Sequence, residues 1–118
     1  MKRITILLLT IAAIVLTGCD KTQKNFDKNL LLGKWQSGTE YWVYQTGGIG
    51  HTWDTSDDIT EEEAQGFNWE VNGSQFIITH RGEMGELIPK SYTLVLLTSD
   101  KLQYKDNYNK TYSFTKVQ

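Results

Sequence analysis

His51 is the imidazole that the chain surrounds with rings. Trp42 and Tyr44 alternate on one short segment, and Ile49, His51 and Trp53 alternate on the next. Alternate side chains share a face on an extended strand. A hairpin joining the two segments at Gly47-Gly48 therefore gathers Trp42, Tyr44, His51 and Trp53 around one space. Aromatic walls with a single polar group suit a small apolar or ring-shaped ligand. The plainer role for the same histidine is a core-edge imidazole bonded to Tyr44 or to backbone. His80, beside Arg81-Gly82, reads as an exposed residue at a strand end, and the two histidines have no zinc spacing. Asp54-Thr55-Ser56-Asp57-Asp58 opens like a calcium loop. It then carries Ile59 where the sixth position needs glycine and Gln65 where the twelfth needs glutamate, so no metal site is expected. Glu83 and Glu86 lie in the loop Arg81-Gly82-Glu83-Met84-Gly85-Glu86, where nothing buries a carboxyl to raise its pKa for acid catalysis. No Gly-x-Ser-x-Gly elbow, His-Glu-x-x-His or phosphate loop occurs. The expectation is a non-catalytic protein without a cofactor.

The positions of these residues depend on what comes before them. Lys2 and Arg3 precede an apolar run from Ile4 to Leu16, and Thr17-Gly18 leads into Cys19, the only cysteine. That order reads as the charged, apolar and small-residue regions of a secretory signal over residues 1–18. The run is shorter than the roughly 20 apolar residues of a spanning helix. Residues 19–29 read as a polar tether whose only large apolar residue before Asn29 is Phe26, and residues 30–118 as one small domain. Of 12 basic and 14 acidic residues, Lys2 and Arg3 belong to the signal, which leaves 10 against 14, a formal charge of −4. That balance argues against a nucleic-acid partner, which would select a basic face. With Cys19 committed to the processing site, no thiol remains for a disulfide or a nucleophile. Packing of four Trp, six Tyr and four Phe must hold the domain instead.

From Leu30 onward, short apolar-polar alternation is broken by Gly, Asn and Asp, the pattern of strands. Asn72-Gly73 predicts a two-residue hairpin turn that pairs Val71 with Ser74, Trp69 with Phe76 and Phe67 with Ile78. A two-residue loop at Gly47-Gly48 pairs Thr46 with Ile49, Tyr44 with His51 and Trp42 with Trp53. Thr60-Glu61-Glu62-Glu63 can cap one helical turn within the acidic connection 55–66. Further strands are expected at Gly33 to Ser37, Lys90 to Thr98 with Pro89 at its start, Leu102 to Lys105 and Lys110 to Val117. Leu94-Val95-Leu96-Leu97 is apolar on both faces, which leaves its register open and an outer stripe to be covered by the tether or a partner. About eight short antiparallel strands without a covering helix predict an all-β fold, a small up-and-down barrel closed on itself. Phe67, Trp69, Val71, Phe76, Ile78, Tyr92, Leu94, Leu96, Leu102, Tyr104, Tyr112 and Phe114 are its expected interior. Outer faces carrying Asn68, Glu70, Lys105 and Thr115 exclude a membrane-spanning barrel.

Two resemblances extend this reading. Leu16-Thr17-Gly18-Cys19 resembles the bacterial lipobox. It implies acyl chains (palmitate among them) on Cys19, anchorage to a membrane and a place in the cell envelope, the outer membrane ahead of the inner. Asp20 resembles the inner-membrane retention signal that some bacteria use. Gly33-Lys34-Trp35 resembles the Gly-x-Trp signature of lipocalins. With the Gly47-Gly48-Ile49-Gly50 hairpin, Phe67-x-Trp69, Asn72-Gly73 and Tyr112-x-Phe114, residues 30–117 are similar to the short lipocalin-like domain of Gram-negative lipoproteins. In that family the signature tryptophan packs near the closed end, often beneath an arginine of the last strand; here the basic residue on that strand is Lys116. The resemblance implies a binding barrel for a small hydrophobic or aromatic ligand. A filled-core module that docks or inhibits another envelope protein is the alternative.

Overall fold

The computed structural model describes residues 26–117. The expected signal segment 1–18 and Cys19, the expected site of lipid attachment, lie outside the described residues. A 3-10 turn, Lys28–Leu31, is followed by eight strands: β1 (Gly33–Ser37), β2 (Glu40–Gln45), β3 (Ile49–Asp54), β4 (Gln65–Asn72), β5 (Gln75–Arg81), β6 (Leu87–Leu97), β7 (Lys101–Lys105) and β8 (Thr111–Val117). Each strand pairs antiparallel with the next, and β8 returns to β1, closing an up-and-down barrel. Closure removes the free edges that an open sheet would expose. The turns after β2, β4 and β6 lie at one end with the 3-10 turn, and those after β1, β3, β5 and β7 at the other.

The end with the 3-10 turn is shut. Leu31 and Trp35 are fully buried, and Trp35 Nε1 donates to the Leu31 carbonyl at 2.8 Å. Lys116 reaches across from β8 with its Nζ 4.5 Å from the centre of a Trp35 ring. It donates to the carbonyls of Leu30 at 3.1 Å and Leu32 at 2.7 Å. Two carbonyls and a π face compensate a cation that burial would otherwise penalise. Gly33 makes this possible: its φ is +122°, and a Cβ there would stand 2.8 Å from Lys116 Cε. Gly33, Trp35 and Lys116 thus form one clasp.

Above the clasp, rings fill the barrel. Tyr44 packs against Phe67, Trp69 and Phe76, with centroids 5.4–5.9 Å apart. Phe76 meets Tyr104 at 5.2 Å, and Tyr104 stacks on Phe114 at 5.7 Å. The expected interior holds with one exchange. A register shift between Leu94 and Leu96 leaves Leu96 half-buried and turns Leu97 inward, where it is 1% exposed. This irregularity resolves the ambiguity of the four-residue apolar run.

Both predicted hairpin registers are corrected. In the β4–β5 hairpin the turn residues are Gly73 and Ser74, and Asn72 pairs with Gln75. Trp69 therefore faces Ile78, and Phe67 faces His80. Glycine at the first central position suits a primed turn. The slide is two residues, so every side chain keeps its face. In the β2–β3 hairpin the loop has three residues, 46–48, with φ of +90° at Gly47 and +75° at Gly48. Val43 then pairs with His51, Trp42 with Thr52 and Tyr41 with Trp53. A one-residue slip inverts a strand's faces, and it changes the site.

β6 also starts earlier than expected. Residues Leu87 to Tyr92 pair with β5 alone, because pairing with β7 begins at Thr93↔Lys105. The Leu94 amide donates to Ser74 of the β4–β5 turn at 2.7 Å, which fixes which backbone groups point toward β5. By alternation, Leu87, Pro89 and Ser91 direct theirs to the unpaired flank.

Candidate functional site

The expected quartet of rings divides between two faces. Trp42 and Tyr44 point into the barrel, whereas His51 and Trp53 lie outside it. The physical reason is volume: with β3 inverted, Gly50 faces inward, and the Phe67 ring lies 2.7 Å from where a Gly50 Cβ would stand. A second indole and an imidazole would have no room there.

Outside, Trp53 is sandwiched. Tyr41 stacks on it at 5.1 Å and 8°, His51 at 5.8 Å and 17°, and Lys34 Nζ stands 5.4 Å from the ring centre. Glu61, from the 3-10 turn Glu61–Glu63, accepts from Lys34 at 3.2 Å and is paired with His51 Nε2 at 3.0 Å. His51 and Lys34 together hold the Glu61 carboxyl below its ordinary pKa. The capping box at Thr60 and Glu63 is present, so the expected helical turn forms and straps the β3–β4 connection onto this face. The cluster is a fastening on the outer wall.

Inside, the imidazole among the rings is His80, which corrects its expected exposure. Facing Phe67 across the β4–β5 ladder, it is half-buried. Its ring lies 5.9 Å from Trp42, edge-on, and 6.0 Å from Phe67. Burial first, then the nearby Lys90 charge, lowers its pKa from the ordinary 6.5. The signal for His80 in the sequence was its even spacing from Ile78 and Phe76, both buried.

Trp42 and His80 belong to the open end. Trp42 is half-buried, its Nε1 donates to Glu40 Oε1 at 3.2 Å, and its ring meets Phe67 at 5.1 Å and Phe114 at 6.4 Å. Tyr92 and Tyr112 continue the wall, 5.8 Å apart, with Tyr104 beneath at 4.8 Å from Tyr92 and 5.3 Å from Tyr112. The result is a rim with aromatic walls, an acid (Glu40), a base (Lys90) and an imidazole with a depressed pKa. Perturbed titratable groups beside partly exposed rings are the usual furniture of a binding mouth.

A cleft of about 320 Å³ opens the side of this rim, between the unpaired flank of β6 and the turn 106–110; Lys90, Tyr92, Asp106, Tyr108 and Tyr112 line it. Asp106 organises the turn, accepting from the amides of Tyr108 at 2.8 Å and Lys110 at 3.0 Å, and from Tyr112 Oη at 3.2 Å. These bonds, those of the amides foremost, hold its carboxyl below the ordinary range. Deeper in, Tyr44 is 1% exposed and its hydroxyl has no partner among the described residues. Burial, then the neighbouring Tyr92, raises its pKa far above the ordinary value. Among the described residues no three His, Cys, Asp or Glu side chains converge as metal ligands. Comparison with protein-family models, with curated proteins and with solved structures returns no match.

Proposed function

We propose that this chain is a lipid-anchored, non-catalytic binding barrel of the cell envelope, lipocalin-like in type, that holds a small ring-bearing ligand at its open rim. The observation that carries this reading is the half-buried state of Trp42, Tyr92 and Tyr112 beside Glu40, His80 and Lys90. Rings that could have been fully buried are left partly open next to polar groups that can orient a guest. The lower barrel is filled, so the ligand is small and sits high. Anchorage rests on the acylation signal ending at Cys19.

Native mass spectrometry of the full-length protein, extracted gently from a bacterial envelope, tests it. The expected result is an adduct of small-molecule mass that disappears in Trp42→Ala and persists in Trp42→Phe. The second reading, a filled-core module docking another envelope protein, is favoured by apolar side chains at the same end: Met84 is 90% exposed, Leu87 60%, Ile88 41% and Tyr108 90%. A spectrum showing no small adduct but a protein-sized one would replace the first reading with the second.

A further inference from the structure

Exposed apolar side chains and negative charge share the open end of the barrel. Among the described residues five large apolar side chains are exposed. Ile49 lies toward the shut end, whereas Met84, Leu87, Ile88 and Tyr108 sit on or beside the turns that follow β5 and β7. Both turns are tied by their own bonds. The Gly82 amide donates to the Glu86 carbonyl at 2.8 Å and the Met84 amide to Glu86 Oε1 at 3.0 Å, and Asp106 accepts from the Tyr108 amide at 2.8 Å. Apolar side chains held out on ordered turns suit an interaction surface, because little freedom is left to lose on binding. The cleft of about 320 Å³ that Tyr108 borders adds a socket for a side chain of the partner.

Charge decides what docks there. The connections at this end, residues 38–40, 54–65, 81–87 and 105–111, hold ten of the thirteen acidic residues among those described and three basic ones, a formal charge of −7. The segments at the shut end, residues 27–32, 45–49, 72–75 and 97–101, hold two of each. Among the described residues Glu61 alone of the ten makes an ion pair. In strand order around the barrel, the turn carrying Met84 lies between the acidic connection 54–65 and the turn carrying Tyr108. Two copies meeting through this end would bring like charge against like charge, and an anionic bilayer would be repelled as well. The complement is a protein surface with an apolar patch ringed by lysine and arginine.

We propose that the open end docks a basic protein, whose apolar patch seats on Met84, Leu87 and Tyr108 and whose surrounding cations face the acidic connection 54–65. The inference rests on the docking end named above and adds the partner's chemistry; it holds whether or not the rim beneath carries a small ligand. The described chain enters at the shut end, so the anchor proposed above leaves the open end free to meet a partner.

The probe is cytochrome c, a small basic protein whose haem edge is an apolar patch ringed by lysines. Its affinity for the full-length protein in non-ionic detergent is measured by calorimetry at low ionic strength. Native cytochrome c is expected to bind, and lysine-acetylated cytochrome c to bind about tenfold more weakly or worse. The double variant Met84→Ser, Leu87→Ser is expected to weaken cytochrome c about tenfold and to leave poly-lysine, which has the charge without the patch, within about twofold. Both side chains stand largely in solvent, so the exchange takes little from the core. Unchanged cytochrome c affinity in that variant, or no binding by the wild type, would overturn the docking end. Equal binding of native and acetylated cytochrome c would overturn the partner's charge and leave the docking end. Sedimentation with phosphatidylglycerol vesicles is the last arm. Vesicle binding lost in the double variant, with cytochrome c unaffected, would put a lipid surface in place of the protein. Trp42 is untouched throughout, so the small-molecule reading of the rim stands or falls separately.

Discussion

His80 couples the rim to pH. Its folded-state pKa lies below the unfolded 6.5 because burial and Lys90 oppose its charge, so the unfolded chain binds the extra proton first. The stability it contributes is fully present above about pH 6.5 and is lost as pH falls from there through the lower folded value. Denaturant midpoints measured from pH 7.5 to pH 5.0 are expected to fall across that window. In His80→Asn that fall should largely disappear; parallel profiles for wild type and variant would refute the assignment. The same titration places a positive charge beside Trp42, so ligand retention at the rim is expected to weaken over the same interval.

At the scale of elements, β6 shows how an unpaired flank is guarded. Free amides and carbonyls on a strand invite another strand, and Leu87 and Ile88 add exposed apolar area. Pro89 lies at the middle of the flank, facing outward by alternation, where its missing N–H and its ring spoil any ladder. Pro89→Thr supplies the donor and a residue suited to strands. The expected outcome is concentration-dependent self-association by light scattering with the barrel intact by circular dichroism; a monomer at all concentrations would remove this role from Pro89. Elements were also where the sequence was most and least legible. Eight of the interior positions predicted from alternation (Phe67, Trp69, Phe76, Ile78, Leu94, Leu102, Tyr104 and Phe114) are buried as expected. A two-residue slide at Gly73-Ser74 does not change which face a side chain occupies. The β2–β3 hairpin was different, because Gly47-Gly48 is compatible with a loop of two residues or three. One residue of loop length moved His51 and Trp53 outside and made room for Phe67 over Gly50. Loop length there is set by packing against β4, a contact that no local window of sequence contains. His80 was missed for a related reason: its place depends on how far β5 extends before the turn.

For the whole molecule, closure is decided at one seam. β8 and β1 share three paired positions, Lys34↔Val117, Trp35↔Lys116 and Gln36↔Thr115, the shortest ladder in the barrel. Lys116 reinforces it by bonding the carbonyls on either side of Leu31. Lys116→Met keeps the apolar stem over Trp35 but loses the cation and both bonds, and is expected to cost about 2 kcal/mol. In a domain of this size that is a fall of roughly 10 °C in melting temperature, with Lys116→Arg recovering most of it. An unchanged melting temperature in Lys116→Met would show that the clasp is ornamental. The clasp has a mechanical consequence as well. On the proposed reading, with the chain fastened to a bilayer ahead of residue 26 and to a guest or partner at its far rim, the barrel comes under tension whenever the two move apart. That load would enter the barrel at the 3-10 turn, directly on the carbonyls that Lys116 grips and beside the ladder with the fewest paired positions. Under such a load the barrel is expected to yield first at the seam between β1 and β8, with Lys116 as the rivet that sets the force.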